Sequence, residues 1–212
     1  MMRRSTHNMP IRYACFISYP HGQTDLTKKF IGELKDALAE QIEGWQDEQV
    51  YLDAERLQPG YKFNESIARA ICESVCMIVV YSPRYEKHLY CLREYAAMEQ
   101  LEEQRRPLIK NPELREKGMI IPIVFRGKDY IPEKIGKRLH YLDFENYVTP
   151  RAIGEDEKYA QQIADLAKYI YSLFHALEES DSDVCTDCDQ FRLPAEDQVK
   201  PWRQRPEPQL PR

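Results

Sequence analysis

Candidate chemical groups occur at three places in the sequence. Two of these places are loops that follow short apolar runs and carry hydroxyl, imidazole or carboxylate side chains. The first loop contains Ser18, Tyr19 and His21, and the second contains Asp53 and Glu55. At the third place Tyr90 precedes Glu94 by four residues, so both side chains point along one face of a helix. A carboxylate can stabilise an oxocarbenium-like transition state, and an aromatic ring beside it can wall a pocket. Without further context, a helix glutamate is usually solvated and a tyrosine usually packs against its neighbours.

Motifs of the common enzyme classes are missing from the sequence. It has no Gly-x-Gly-x-x-Gly after the first strand, no Gly-Lys-Ser/Thr opening a helix, no Gly-x-Ser-x-Gly and no His-Glu-x-x-His. Rossmann and P-loop sites, hydrolase triads and zinc proteases are therefore disfavoured. A phosphoacceptor receiver domain is disfavoured too, because no acidic pair follows the first strand. Cys185 and Cys188 have the spacing of half a zinc site without a second half, so we expect no metal.

Length, net charge, apolar runs and cysteine content disfavour several further classes of protein. A chain of 212 residues suits one domain with extensions, and its net charge of −5 with scattered Lys and Arg offers no surface for nucleic acid. The longest apolar run, Val75 to Tyr81, is far shorter than the roughly 20 residues that span a bilayer. We expect no membrane anchor and no secretory signal. Six cysteines are too dilute for a disulfide scaffold, so we expect reduced thiols and a cytoplasmic location.

The candidate groups depend on strands and helices that alternate along the chain. The apolar pattern predicts strands at 13–19, 50–53, 76–81, 119–125 and 139–144. It predicts helices at 26–42, 63–75, 83–103 and 159–177. This alternation implies an α/β fold of the flavodoxin-like, doubly wound class, with a five-stranded parallel sheet and helices on both faces. Ligands of such sheets bind beyond the carboxyl ends of the strands, which places a site at the loops after Tyr19, Asp53 and Tyr81.

The chain divides into three parts by composition. Residues 1–11 form a polar arm, residues 12–179 contain the apolar periodicity of a core, and residues 180–212 form a tail rich in proline and charge. Because the tail has few large apolar residues and no period, it cannot offset the entropy of ordering itself. We expect the tail to be disordered or to dock late.

Four segments occur in the order and spacing of Toll/interleukin-1 receptor (TIR) domains. They are Cys15-Phe16-Ile17-Ser18-Tyr19, the stretch from Val50 to Gly60, Ile78-Val79-Val80-Tyr81-Ser82-Pro83, and Tyr90-Cys91-Leu92-Arg93-Glu94. The chain resembles this family from about residue 12 to residue 147, and the closing helix extends the resemblance to about residue 179. The resemblance implies the same flavodoxin-like sheet.

The resemblance also implies a reaction. Many TIR domains cleave the nicotinamide–ribose bond of NAD with a glutamate at the position of Glu94, so NAD is expected as substrate and no cofactor is needed. Nicotinamide leaves as a neutral group, so one carboxylate can suffice. Tyr90 stands where the family often has tryptophan, which leaves linear, cyclic and conjugated ADP-ribose open as products. A related enzyme that removes the base from another nucleotide is also compatible.

The same resemblance assigns roles to the loops. Ser18, Tyr19 and His21 match the substrate loop after the first strand. Asp53 and Glu55 either border the cleft or cap a turn. The loop after the second strand is expected to complete the site of a neighbouring protomer, through Leu57, Pro59, Gly60 and Tyr61. Self-association would then control activity.

The resemblance suggests a prokaryotic setting, in which the product signals to a separate effector protein during anti-phage defence. The alternative is a non-enzymatic adaptor that uses the same surfaces for TIR–TIR association only.

Overall fold

The structure is a computed structural model that describes residues 11–21, 24–43, 49–52, 63–138, 141–147, 156–180 and 188–203. Its strands are β1 (Tyr13–Ser18), β2 (Gln49–Leu52), β3 (Ser74–Tyr81), β4 (Ile120–Val124) and β5 (Leu142–Asp143). Its helices are α1 (Asp25–Glu43), α2 (Phe63–Cys72), α3 (Leu89–Arg105), α4 (Pro112–Lys117), α5 (Glu133–Gly136) and α6 (Glu157–Glu178). Short 3₁₀ turns lie at Tyr85–Lys87, Arg106–Leu108, Lys128–Tyr130, Glu145–Tyr147 and Glu196–Gln198.

The strands pair in parallel in the order β2-β1-β3-β4-β5. Every residue of β1 and β3 is buried, as expected for central strands covered on both faces, and this explains their uninterrupted apolar sequences. Four strands have four or more residues, whereas β5 pairs over two residues at the edge. The predicted α/β fold with a parallel sheet is confirmed, but the fifth strand predicted at 139–144 is reduced to Leu142–Asp143 within the described residues.

Helices flank the sheet in two layers. Helix α1 packs against α6, while α2 packs against α3. The apolar stripes that face the core follow the helical period, as the buried residues Phe30, Leu34 and Leu38 of α1 show. Asp156 fixes the start of α6, because its carboxylate accepts hydrogen bonds from the amides of Lys158 and Tyr159. Among the described helices, none combines the length and the apolar character needed to cross a bilayer.

The strand order reverses between β1 and β3. From β1 the chain crosses to β2 on one side and then returns to β3 on the other, which leaves a crevice at the carboxyl ends of β1 and β3. Ser18 at the end of β1 is in register with Val79 of β3. The two loops that leave this crevice therefore start side by side.

Residues 188–203 lie against the domain, and we call them the C-terminal strap. Leu193 of the strap is buried, Trp202 packs against the core, and Arg93 of α3 donates a 2.7 Å hydrogen bond to the carbonyl of Pro194. Of the two outcomes expected for the tail, disorder or docking, these residues show docking. A few large anchors hold the strap in place, although the average composition of the tail is polar. Residues 181–187 and 204–212, like the arm at 1–10, lie outside the described residues.

A disulfide joins Cys72 at the end of α2 to Cys188 at the start of the strap. The expectation of six reduced cysteines is therefore wrong for this pair. Pairing was not visible in the sequence, because 116 residues separate the two positions. Cys15, Cys76 and Cys91 are free thiols, all of them buried. Burial raises the pKa of the Cys15 thiol to about 12, which keeps it protonated and unreactive at neutral pH.

Candidate active site

Glu94 lies against the carboxyl end of β1, at the edge of the sheet where the strand order reverses. Its position on α3 aims its side chain toward the end of β1, and the residue is only 3 % exposed. The hydroxyl of Ser18 donates a 2.6 Å hydrogen bond to Oε2 of Glu94. A hydrogen bond to an ionised carboxylate is short and strong, and a buried carboxylate needs such partners. The structure thus brings together two of the predicted site residues.

Tyr85 is a site residue that the sequence analysis missed. Its side chain is fully buried, and its hydroxyl lies 2.7 Å from Oγ of Ser18 and 3.2 Å from the carbonyl oxygen of Cys91. Because the single hydroxyl proton of Ser18 goes to Glu94, the Tyr85 hydroxyl is the donor in the 2.7 Å contact, and it shares the same proton with the Cys91 carbonyl at the longer distance. Burial, the nearby Cys91 thiol and the negative charge of Glu94 raise the pKa of Tyr85 well above 10, so the hydroxyl keeps its proton.

Tyr85 could not be predicted as a site residue because helix α3 starts later than the sequence pattern indicates. The sequence predicts a helix that starts at Ser82-Pro83, whereas a 3₁₀ turn occupies Tyr85–Lys87 and α3 begins at Leu89. The extended backbone at His88 separates the two elements. This break allows Tyr85 to lie beside Ser18. No periodic pattern in the sequence signals this placement.

Tyr90 lies largely at the surface, whereas the carboxylate of Glu94 is buried. Its side chain is 41 % exposed, and the guanidinium of Arg93 lies 5.4 Å from the centre of its ring. Glu94, one turn later, points into the protein. A role for Tyr90 as a wall of the nicotinamide pocket remains a prediction.

The loop after β1 contributes Tyr19 and His21 near the start of α3. Tyr19 is buried, His21 is exposed, and their ring centres are 5.1 Å apart. Burial lowers the pKa of His88, which precedes α3, and the positive charges of Arg84 and of His21 lower it further. His21 and His88 therefore lie within electrostatic range of each other at the mouth of the crevice. His88 is a second residue that the sequence analysis did not single out.

Six further predicted positions fall in the loop after β2, which lies outside the described residues: Asp53, Glu55, Leu57, Pro59, Gly60 and Tyr61. Their assignments to the cleft and to a neighbouring protomer remain predictions. Within the described part of the chain, no group of three or more His, Cys, Asp or Glu residues gathers in a metal-binding arrangement. Cys188 of the proposed half-site is joined to Cys72, and Cys185 is outside the described residues.

The comparisons with known proteins decide the family. A family model described as TIR domain matches residues 15–163, which is more than half of the 212 residues. The chain belongs to the TIR-domain family. This match confirms the resemblance seen in the four sequence segments, and Ser18, Tyr85 and Glu94 all fall inside the matched TIR region.

Among solved structures, the TIR domain is similar to the TIR domains of the activated Roq1 resistosome directly recognizing the pathogen effector XopQ. That match has a TM-score of 0.41 and 19 % sequence identity, and it covers 78 % of this chain and 84 % of the other. A comparison with curated proteins finds no match.

Proposed function

We propose that this TIR domain cleaves the nicotinamide–ribose bond of NAD and that Glu94 is the catalytic residue. The observation that carries the proposal is the placement of a nearly buried carboxylate, hydrogen-bonded by Ser18, at the strand-order reversal of a doubly wound sheet. This is the position at which such sheets bind ligands. A solvated surface glutamate would not be held in this way.

The chemistry requires little more than this carboxylate. As the bond between C1′ and the pyridinium nitrogen breaks, the electron pair leaves with nicotinamide, which becomes neutral and needs no proton. Positive charge develops on the ribose, and Glu94 stabilises it directly or through the ribose hydroxyls. Attack of water at C1′ and loss of one proton then give ADP-ribose, whereas attack by a group of the same nucleotide gives a cyclic product.

Ser18 and Tyr85 are positioning residues in this scheme. The chain of hydrogen bonds from Tyr85 to Ser18 to Glu94 keeps the carboxylate in one rotamer. A carboxylate fixed in advance spends no free energy on reorientation when charge develops on the ribose.

We further propose that activity depends on self-association. The loop that contains Asp53 and Glu55 would lie at the cleft, and Leu57, Pro59, Gly60 and Tyr61 would contact the neighbouring protomer. The setting we propose is anti-phage defence, with the nucleotide product sensed by a separate effector protein.

The test is to incubate the purified full-length protein with NAD at high concentration and to analyse the products by mass spectrometry. Free nicotinamide together with ADP-ribose indicates hydrolysis. A nucleotide product that is one water lighter than ADP-ribose indicates cyclisation. Parallel incubations with other nucleotides show whether the enzyme prefers a different base. If no nucleotide loses its base, even under crowding that favours assembly, the proposal is wrong and the adaptor function takes its place.

A further inference from the structure

The C-terminal strap runs along one side of the domain from the amino edge of the sheet to the carboxyl edge. Its first residue, Cys188, is bonded to Cys72, two residues before β3 begins, and its neighbour Asp189 forms a 3.0 Å ion pair with Arg69 of α2. Its far end lies beside Tyr85, which follows the end of β3. The strap therefore connects a disulfide at one edge of the sheet with the candidate active site at the other.

The far end of the strap contacts the support of Glu94. The ring of Trp202 stacks on Tyr85, with centres 5.6 Å apart, and meets the edge of Tyr95 at 4.7 Å. Arg203 extends the contact through a 3.4 Å ion pair with Glu86. Trp202 thus covers one face of the tyrosine whose hydroxyl donates to Ser18.

We propose that the Cys72–Cys188 disulfide is a redox latch for the strap, and that the latched strap positions Glu94 through Trp202, Tyr85 and Ser18. The disulfide fixes the start of the strap to α2. In the sequence, residues 181–187 connect the strap to α6. Reduction gives the strap back its conformational freedom, so its remaining contacts must hold it without covalent help. The consequence for catalysis rests on the proposed function, whereas the latch itself does not.

The step that opens the latch is a thiol–disulfide exchange with a dithiol reductant. One thiolate of the reductant attacks the sulfur of Cys188, which is 7 % exposed whereas Cys72 is fully buried. A mixed disulfide forms, and Cys72 leaves as a thiolate and takes up a proton. The second thiolate of the reductant then displaces Cys188, which is protonated in turn. Two electrons and two protons have passed to the protein, and the reductant is left as a disulfide.

The latch is tested first without any activity measurement. Non-reducing peptide mapping of the full-length protein, purified under air, must show the Cys72–Cys188 link. Hydrogen exchange is then followed in the oxidised protein, after dithiothreitol, and in a Cys185→Ser, Cys188→Ser variant, with Cys185→Ser alone as the control. We expect amides at 199–203 and at 85–95 to exchange at least about tenfold faster when the link is open. A missing link, or unchanged exchange with free thiols, overturns the proposal.

The positioning role is tested with Trp202→Ala in the oxidised protein. We expect exchange at 85–95 to rise as it does on reduction, and kcat for nicotinamide release to fall about tenfold while KM changes by less than about twofold. Trp202→Phe keeps an aromatic ring, so exchange at 85–95 and kcat should both stay close to the wild-type values. Lys200 is an exposed strap residue, so Lys200→Ala should change neither the exchange nor kcat. Faster turnover in the reduced protein or in Trp202→Ala overturns the positioning role, because the strap would then be inhibitory.

The two proposals fail in different ways. A protein that releases no nicotinamide in any form, yet shows the exchange response to reduction and to Trp202→Ala, contradicts the proposed function and supports the latch. A protein that releases nicotinamide equally well with the link open or closed, with unchanged exchange at 85–95, supports the proposed function and overturns the latch.

Discussion

The hydroxyl of Ser18 donates a 2.6 Å hydrogen bond to the carboxylate of Glu94, although 76 residues separate the two in the chain. The bond joins the end of β1 to helix α3, and both residues are almost fully buried. A buried carboxylate without a donor is costly, so this bond fixes where Glu94 lies and in which direction it points.

Ser18→Ala removes the 2.6 Å hydrogen bond that Ser18 donates to Glu94 Oε2. The carboxylate then loses its fixed rotamer, and we expect kcat for nicotinamide release to fall between about tenfold and about 100-fold. Steady-state kinetics at several NAD concentrations separate this effect from a change in KM. Ser172→Ala on α6 is the matched control, because its hydroxyl bonds only to the helix carbonyl of Lys168 among the contacts described. A normal kcat in Ser18→Ala would mean that Glu94 needs no positioning.

Tyr85→Phe keeps the ring that stacks on Trp202 and removes the hydroxyl that donates to Ser18. Losing this buried hydroxyl, which also contacts the carbonyl of Cys91, is expected to lower the free energy of unfolding by about 1 to 2 kcal/mol. Urea denaturation measures this difference. Tyr130→Phe serves as the control, since Tyr130 is 68 % exposed and its change should leave stability unaltered. Equal midpoints for the two variants would show that the Tyr85 hydroxyl contributes nothing to the fold.

The pKa of His88 is expected to lie below its ordinary value of 6.5, because of its burial and the positive charges of Arg84 and His21. The unfolded chain therefore binds this proton more tightly than the folded protein does. It follows that the folded state loses stability as the pH falls from 6.5 through the lowered pKa, and that this loss is absent above 6.5.

Arg84→Gln tests the cause of this shift. Removing the positive charge of Arg84 should raise the pKa of His88 toward 6.5, without reaching it, because burial remains the largest cause. An NMR titration of the imidazole resonances in both proteins gives the two values. A His88 pKa that stays the same or moves lower in the variant would contradict the assignment.

Assembly is predicted to control turnover. If a neighbouring protomer completes the site, the rate of nicotinamide release per protomer should rise with protein concentration. Gly60→Leu should lower that rate at every concentration by disturbing the turn that the sequence predicts at Pro59-Gly60. The rate is measured over a dilution series alongside the mass by light scattering. A rate per protomer that is independent of concentration argues that the single chain is sufficient.

The general plan of the sheet could be predicted from the sequence because it rests on local patterns. Strands β1 and β3 are continuous buried runs, and the apolar residues of α1 recur at the helical period. Both patterns can be recognised from a few neighbouring residues. The edge of the sheet where the site would lie follows from the order of elements alone. Fold reasoning of this kind reaches the loop beside Ser18, whereas the choice of Glu94 comes from the resemblance to TIR domains.

The contacts that support Glu94 could not be predicted in this way. Tyr85 depends on a break between a 3₁₀ turn and α3, and the pairing of Cys72 with Cys188 depends on a contact across 116 residues. The composition of the tail does not decide between disorder and docking, because the anchors of the strap are few and irregularly spaced. Contacts between residues far apart in the chain, such as a hydrogen bond, a disulfide or ring stacking, do not produce a periodic pattern in the sequence.

The most direct test of the account compares nicotinamide release from NAD by the wild-type protein, Glu94→Gln and Glu103→Gln. The two substitutions remove the same charge from helix α3, one at the buried site and one at an exposed position. We predict that Glu103→Gln keeps the wild-type rate and that Glu94→Gln releases nicotinamide about 1,000-fold more slowly, with unchanged thermal stability of the fold. A Glu94→Gln protein that turns over NAD as fast as wild type would contradict the central claim.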